Sequence, residues 1–364
     1  MITDQELAKY TNLVGLIRID HCAYERILDA IIEALEDVSE EPLIACEAAV
    51  PSCLLIVGGT RTGKSTAARD VMARFAPTRS PEGVRQSIVY AAAPPKGTVK
   101  AILEQLLKAL GDPQWARGSE SNMTQRLLTL LRGVGCRMII LDEFQHLSDK
   151  GQRKLLTRTA DWLKNLVEGK EWALVAIGLP EAVSVVNANP QLMARFDPPL
   201  VMPLFDWNDD QSRAQFKAIL KSFIRELSPF ELPDLGNHEL ALRMYLATSG
   251  RIGLFVKLMD RAVKTAIRKG DPRIRMEDLA VAFERSIWFA QDFPLPGGPF
   301  RGDISLCQNA ALLTSVMHLA AHDSYADTSA TVRVQQSGEG KQRPKNANKK
   351  SEKRYVREEL ERAL

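Results

Sequence analysis

Along residues 5–38 the apolar positions recur at helical spacing, with Tyr24, Ile27, Leu28, Ile31, Ile32 and Leu35 on one face. This predicts helices that pack on the core that follows. From Pro51 the pattern changes to a short unbroken apolar run, CLLIVGG, bounded by Pro and Gly, which reads as a strand buried on both faces of a parallel sheet. Similar runs recur at 87–93 (SIVYAAA), 137–143 (RMIILDE) and 172–178 (WALVAIG), with a fifth candidate at 200–205 (LVMPLF). Amphipathic stretches at 64–75, 98–110, 121–133 and 151–168 separate them. Strand and helix alternating in this way predict an α/β fold, a doubly wound parallel sheet sandwiched by helices. After Phe205 the strands stop, and residues 209–227, 237–248, 252–268 and 276–289 read as a small all-helical unit ending near Trp288.

The Pro/Gly-rich QDFPLPGGPFRG then breaks the pattern. One short apolar stretch follows, and after it a segment rich in Ser, Lys, Arg and Asn. That segment is too poor in apolar side chains to offset the entropy of ordering, so it is expected to be disordered when free. The terminal SEKRYVREELERAL is expected to form a short helix on a partner. The expected organisation is an N-terminal helical extension (1–50), an α/β nucleotide-binding domain (51–206), a helical lid (207–290), and a Pro/Gly break with a largely disordered basic C-terminal tail (291–364).

Composition narrows the function. With 364 residues, 45% of them hydrophobic, the chain can bury a sizeable core, and a net charge of +3 confines any nucleic-acid contact to a local patch. The opening MITDQELAKY lacks the order of a secretion signal, and no apolar run approaches the roughly 20 residues of a membrane span. A cytoplasmic location without membrane contact is expected. Cys22, Cys46, Cys53, Cys136 and Cys307 never pair as CxxC, which points to ordinary thiols rather than a disulfide framework or a zinc site. His146 beside the carboxylate pair Asp142-Glu143 is expected to be structural.

The chemistry is carried by GGTRTGKST, which follows the strand LLIVGG and opens the helix AARDVMARF. A G-x-x-x-x-G-K-[ST] loop in that context binds nucleoside triphosphate phosphates. Gly58 and Gly63 allow the tight turn. Gly59, Thr60, Arg61 and Thr62 contribute backbone N–H groups to an anion cradle completed by the helix start, where Thr66 follows. Lys64 is expected to reach the β- and γ-phosphates, and the Ser65 hydroxyl to bind magnesium. The partner motif MIILDEF lies about 80 residues later and one strand further on, with Asp142 and Glu143 at the C-terminal end of its strand. Asp142 is expected to hold the magnesium and Glu143 to polarise the attacking water. Two arginines complete the catalytic set. Arg195 in QLMARFDPP has the position of a finger supplied to a neighbouring subunit, or is a surface arginine on a helix end. Arg251 in SGRIG faces the γ-phosphate if the helical unit folds over it, or merely starts a helix.

This combination resembles the AAA+ ATPases. From about Leu54 to Ile267 it is similar to the TnsC/TniB transposition regulators, through VGGTRTGKST, PPKGTVKAILEQLLKALGDP, IILDEFQHL, LKNLVEG, VAIGLPEA, QLMARFDPPLVMPLF and SGRIGLFVKLMDRAVKTAI. The resemblance implies an ATP- and magnesium-dependent homo-oligomer, a ring or helical filament on double-stranded DNA. Its implied partners are a transposase and a target selector, CRISPR-type selectors included, with Arg195 acting in trans. It also implies DNA contact from pore-facing loops, here Lys96 and Lys100 in PPKGTVK and Arg117 in QWARGSES, directed at phosphates and nearly sequence-blind. Those residues read equally as solvated side chains on ordinary loops. The chain departs from the family at the end of the strand before PEA. Gly178-Leu179 stand where a polar residue senses the γ-phosphate, so either a neighbour senses it or hydrolysis is slow. Two other functions fit the same motifs: a helicase loader or replication-initiation ATPase, and a nucleotide-switched signalling or defence module with little turnover.

Overall fold

The computed structural model describes residues 10, 13–18, 21–38, 53–81, 83–95, 97–148, 153–168, 171–228, 230–303 and 310–321. The polar tail and the helix expected at 351–364 lie outside them. The chain divides into two compact units, one between Asp20 and Pro203, the other made of the described residues before and after it.

The first unit is built on a parallel five-stranded sheet. In chain order its strands are β1 (Cys53–Gly58), β4 (Ile88–Ala92), β5 (Met138–Asp142), β6 (Ala173–Gly178) and β7 (Leu200–Met202). A separate antiparallel pair, β2 (Thr78–Ser80) and β3 (Gly83–Arg85), precedes β4. In space the order is β4-β5-β6-β1-β7, so β6 is inserted between the strand leading into the phosphate loop and the strand carrying the acidic pair. Side chains alternate between the two faces with period two. Leu55, Val57, Ile139, Leu141, Leu174 and Ala176 join one core, while Leu54, Ile56, Met138, Ile140, Val175 and Ile177 join the other. Both faces are covered, which is why each strand reads as an unbroken apolar run.

Helices Val99–Ala109, Glu120–Gly133 and Arg153–Glu168 cover the first face. Helices Cys22–Glu36 and Lys64–Arg74 cover the second. The N-terminal helix is therefore part of the packed sheet unit: Ile27, Ile31 and Leu35 are fully buried, and the Tyr24 hydroxyl donates to Asp70 on the phosphate-loop helix. The short helix Leu13–Leu16 belongs to the other unit, where Val14 joins the core. The last strand is shorter than its apolar run. It stops at Met202, because Pro203 has no N–H to offer the ladder.

The second unit packs helices Asp210–Glu226, His238–Thr248, Ile252–Lys269 and Met276–Ser286 around Phe216, Phe223, Tyr245, Phe255 and Phe283. A helix at Ala310–Ala321 adds Leu312, Leu313 and Val316 to that core. Its turn at Ser249-Gly250 is left-handed at both residues (φ 51° and 67°), and a Cβ on Gly250 would lie 2.3 Å from the Phe205 carbonyl oxygen, so only glycine fits there. Among the described residues no helix is long and apolar enough to cross a membrane.

Candidate nucleotide-binding site

β1 delivers the chain to Gly58 beside the end of β7. A Cβ at Gly58 would lie 2.4 Å from the Met202 carbonyl oxygen, so the first glycine of the loop is required by close backbone packing. Gly63 is required for a different reason: it has open space around it but φ of 107°, beyond the comfortable range of an L side chain. Arg61 is also left-handed (φ 58°). Left-handed residues alternating with Thr62 turn successive N–H groups toward one concave side, the backbone form of an anion nest, at the start of helix Lys64–Arg74. Gly58→Ala is expected to lower stability by about 1–3 kcal/mol through overpacking against β7. Thermal unfolding with and without nucleotide checks this, and an unchanged midpoint would remove the close-packing account.

Lys64 is buried at 8% exposure, and its ammonium donates to the carbonyls of Gly58 (2.8 Å) and Gly59 (2.6 Å), with the Thr62 hydroxyl at 3.5 Å. Thr62 Oγ1 also donates to the Gly59 carbonyl at 2.9 Å. The loop is thus tied to its own lysine. Because these partners are neutral dipoles, phosphate oxygens compete with them favourably. Ser65 and Thr66 stand half-buried in the first turn of the helix.

Asp142 ends β5 on the same sheet face as Ile140, which is the face that carries the phosphate-loop helix. Its carboxylate is fixed from two sides: the Tyr90 hydroxyl donates to Oδ2 at 2.6 Å and the Glu143 N–H to Oδ1 at 2.8 Å. Burial, reinforced by the Asp142 carboxylate, pushes the Tyr90 hydroxyl well above its ordinary range, so it remains a donor. Among the described residues no cluster of three or more His, Cys, Asp or Glu makes a protein-only metal cage. One fixed carboxylate and one helix-start hydroxyl are nonetheless a donor set that suits magnesium, which keeps waters and binds through phosphates.

Glu143 leaves the strand in the left-handed conformation (φ 55°), a cost on the order of 1–2 kcal/mol for a non-glycine residue. Its side chain is 52% exposed, and His146 Nε2 lies 3.8 Å from Oε2. Gln145 Nε2 donates to Glu143 Oε2 at 2.5 Å, while Gln145 Oε1 accepts the Leu179 N–H at 3.0 Å. Neither Tyr90 nor Gln145 was singled out by motif. For Tyr90 the signal is parity, since it pairs in register with Ile140, two residues before Asp142.

The remaining candidates are dispersed. Arg195 follows helix Pro190–Met193, with its guanidinium 3.9 Å from Glu168 and its side chain 26% exposed. The next residues fasten to the start of β1, through the Phe196 bridge to Cys53 and the Asp197 N–H to the Cys53 carbonyl at 3.0 Å. Arg195 therefore stands at the opposite end of β1 from Gly58, five strand residues or roughly 17 Å away. Arg251, 4% exposed, precedes helix Ile252–Lys269 in the other unit, with its N–H donating to the Thr248 carbonyl. Lys100 is exposed in the first turn of helix Val99–Ala109 and Arg117 is exposed beyond its far end. About 16 Å of helix separates them. Lys96 lies outside the described residues. Burial pushes the Cys53 thiol up to about 11 and the Cys136 thiol to about 12, so both are inert.

A family model described as bacterial TniB protein matches residues 15–209, more than half of the chain. No curated protein matches it. Among solved structures it is similar to the Aeropyrum pernix ORC1 protein in complex with DNA (TM-score 0.54, 20% identity, covering 79% of this chain and 71% of that one). It is also similar to the Aeropyrum pernix ORC2 protein in ADPNP–ADP complexes (0.55, 15%, 86% and 84%) and to Cdc6p from Pyrobaculum aerophilum (0.55, 16%, 76% and 71%). At these identities the likeness is one of fold, the AAA+ P-loop ATPase fold with a helical C-terminal region.

Proposed function

Because this chain belongs to the bacterial TniB protein family and has the AAA+ ATPase fold, we propose that it regulates DNA transposition: it assembles on duplex target DNA with ATP and links target selection to transposase recruitment. The loop at 58–65 binds the triphosphate, and Lys64 exchanges its carbonyl partners for phosphate oxygens. Glu143, half-exposed beside the fixed Asp142, accepts a proton from the attacking water. Asp142 and Ser65 hold magnesium, which when bound neutralises charge on the β- and γ-phosphates.

The observation that carries assembly is the place of Arg195. Its backbone stands beside the start of β1, roughly 17 Å of strand from its own phosphate loop, and its guanidinium is turned to an exposed carboxylate at 3.9 Å, a loose hold that leaves it available to a neighbour's loop. Lys96, Lys100 and Arg117 contribute phosphate contacts to DNA. Electron microscopy with ATP, magnesium and duplex DNA tests this reading: ordered rings or filaments are expected, and protein that remains monomeric under every condition would sink it. Arg195→Ala should leave ATP binding by the monomer intact while lowering turnover of the assembly about a hundredfold or more, as loss of an arginine finger does. Equal turnover of assembled variant and wild type would show that the arginine plays no part. The fold likeness to ORC and Cdc6 proteins motivates the second reading, a replication-initiation or helicase-loading ATPase. Tighter binding to single strands than to duplex would favour it.

A further inference from the structure

The sequence leaves the tip of β6 without a polar side chain, at Gly178-Leu179, and the structure puts another side chain in that place. Gln145 lies two residues past Glu143, in the short 3-10 turn Phe144–Leu147 that follows β5. Its amide bridges the ends of the paired strands β5 and β6, donating through Nε2 to the Glu143 carboxylate and accepting through Oε1 from the Leu179 N–H just past β6. We infer that Gln145 is the positioning residue for the Glu143 carboxylate and stands in for the missing strand-end polar group, coupling that carboxylate to the tip of β6. The inference rests on Glu143 being the water-polarising base.

Three features of the site support this role. The amide has a defined orientation, because turning it over would set its oxygen against a carboxylate and its NH2 against an N–H donor. Both of its ends are therefore satisfied in one arrangement only. Next, Gly178 has no room for a side chain while Gln145 is in place. A Cβ there would lie 2.6 Å from Gln145 Oε1, 3.2 Å from the Gln145 nitrogen and 3.0 Å from the Ala182 Cβ. The missing polar residue and the inserted glutamine are two sides of one exchange. Finally, Glu143 needs a guide. It is half-exposed on a left-handed residue at the end of a strand, so packing alone does not fix the direction of its carboxylate.

The bridge also offers a route for sensing. The Glu143 carboxylate and the backbone at Leu179 are joined by one side chain, so a displacement of either is felt by the other. The carboxylate is thereby held on the β6 side of the site.

The test uses the full-length chain with three variants and two readouts. Without nucleotide, the Leu179 amide is expected to exchange with solvent slowly in the wild type. It should exchange about tenfold faster or more in Gln145→Ala, where its acceptor is gone. Gln145→Glu keeps an acceptor for Leu179, so protection should persist, but it sets a second carboxyl against Glu143, where the pair repels or shares a proton instead of forming the amide's hydrogen bond. In steady-state phosphate release with duplex DNA, Gln145→Ala and Gln145→Glu should both lower kcat about tenfold or more, with KM for ATP within about twofold of wild type. Adding Gly178→Ser to Gln145→Ala meets no Oε1 at 2.6 Å, while the Gln145 backbone nitrogen at 3.2 Å and the Ala182 Cβ at 3.0 Å remain and must give by a few tenths of an ångström; the added hydroxyl should recover part of that loss. Equal Leu179 exchange in wild type and Gln145→Ala, or wild-type turnover by Gln145→Glu, would overturn the inference. Absence of phosphate release by the wild type itself would instead count against the ATPase reading, and the exchange comparison would still decide whether the bridge exists.

Discussion

Glu143→Gln is expected to bind ATP and assemble on DNA as the wild type does, while its steady-state phosphate release falls by about a hundredfold to ten-thousandfold, the usual worth of a general base. The substitution keeps the size and shape of the side chain. Its carbonyl oxygen still accepts from Gln145 Nε2, and its backbone N–H still reaches Asp142 Oδ1 at 2.8 Å, so the metal-side carboxylate and the left-handed turn are undisturbed. What is lost is the capacity to take a proton. Phosphate release and nucleotide affinity, measured on the same preparation, separate these effects. Electron microscopy should show assemblies that persist longer than those of the wild type. Full hydrolysis by this variant would mean that another group takes the proton.

Lys64→Ala is expected to remove nucleotide binding and assembly on DNA together. A charge-assisted hydrogen bond is worth about 1.5–3 kcal/mol, and an ammonium among phosphate oxygens makes more than one. The affinity for ATP should therefore fall by about a hundredfold or more. The lysine also ties the loop to itself through the carbonyls of Gly58 and Gly59, so the variant loses some order in the loop before any nucleotide arrives. Calorimetric titration with ATP and an assembly assay on duplex DNA check the two consequences. Assembly on DNA that survives the loss of ATP binding would show that the chain does not need nucleotide to oligomerise.

Much of the first unit is legible in the sequence because burial on both faces leaves unbroken apolar runs, and β1, β4, β5 and β6 coincide with such runs to within a residue or two. The phosphate loop is legible because its glycines answer steric demands that no other residue meets. The hairpin β2–β3 is not, since all six of its residues are exposed and no alternation marks it. The shortened β7 escapes because the run LVMPLF is apolar throughout and only the proline carries the stop. Tyr90 and Gln145 escape for another reason. Each acts through a partner far along the chain, Asp142 for one and Leu179 for the other, and only sheet order and register bring them together. Arg195 is legible as a candidate from its motif, but its separation from its own phosphate loop, set by the length of β1, shows only in the fold.

The helix Cys22–Glu36 also determines how the chain can be handled. Its buried face is one wall of the layer that contains Leu54, Ile56, Ala67, Ala68 and Val71, and Tyr24 is bonded to the phosphate-loop helix itself. A recombinant fragment trimmed to begin at the first strand would present that layer to water as an adhesive surface and aggregate. The smallest piece that can be transplanted into another protein, or expressed for crystallisation, starts ahead of His21.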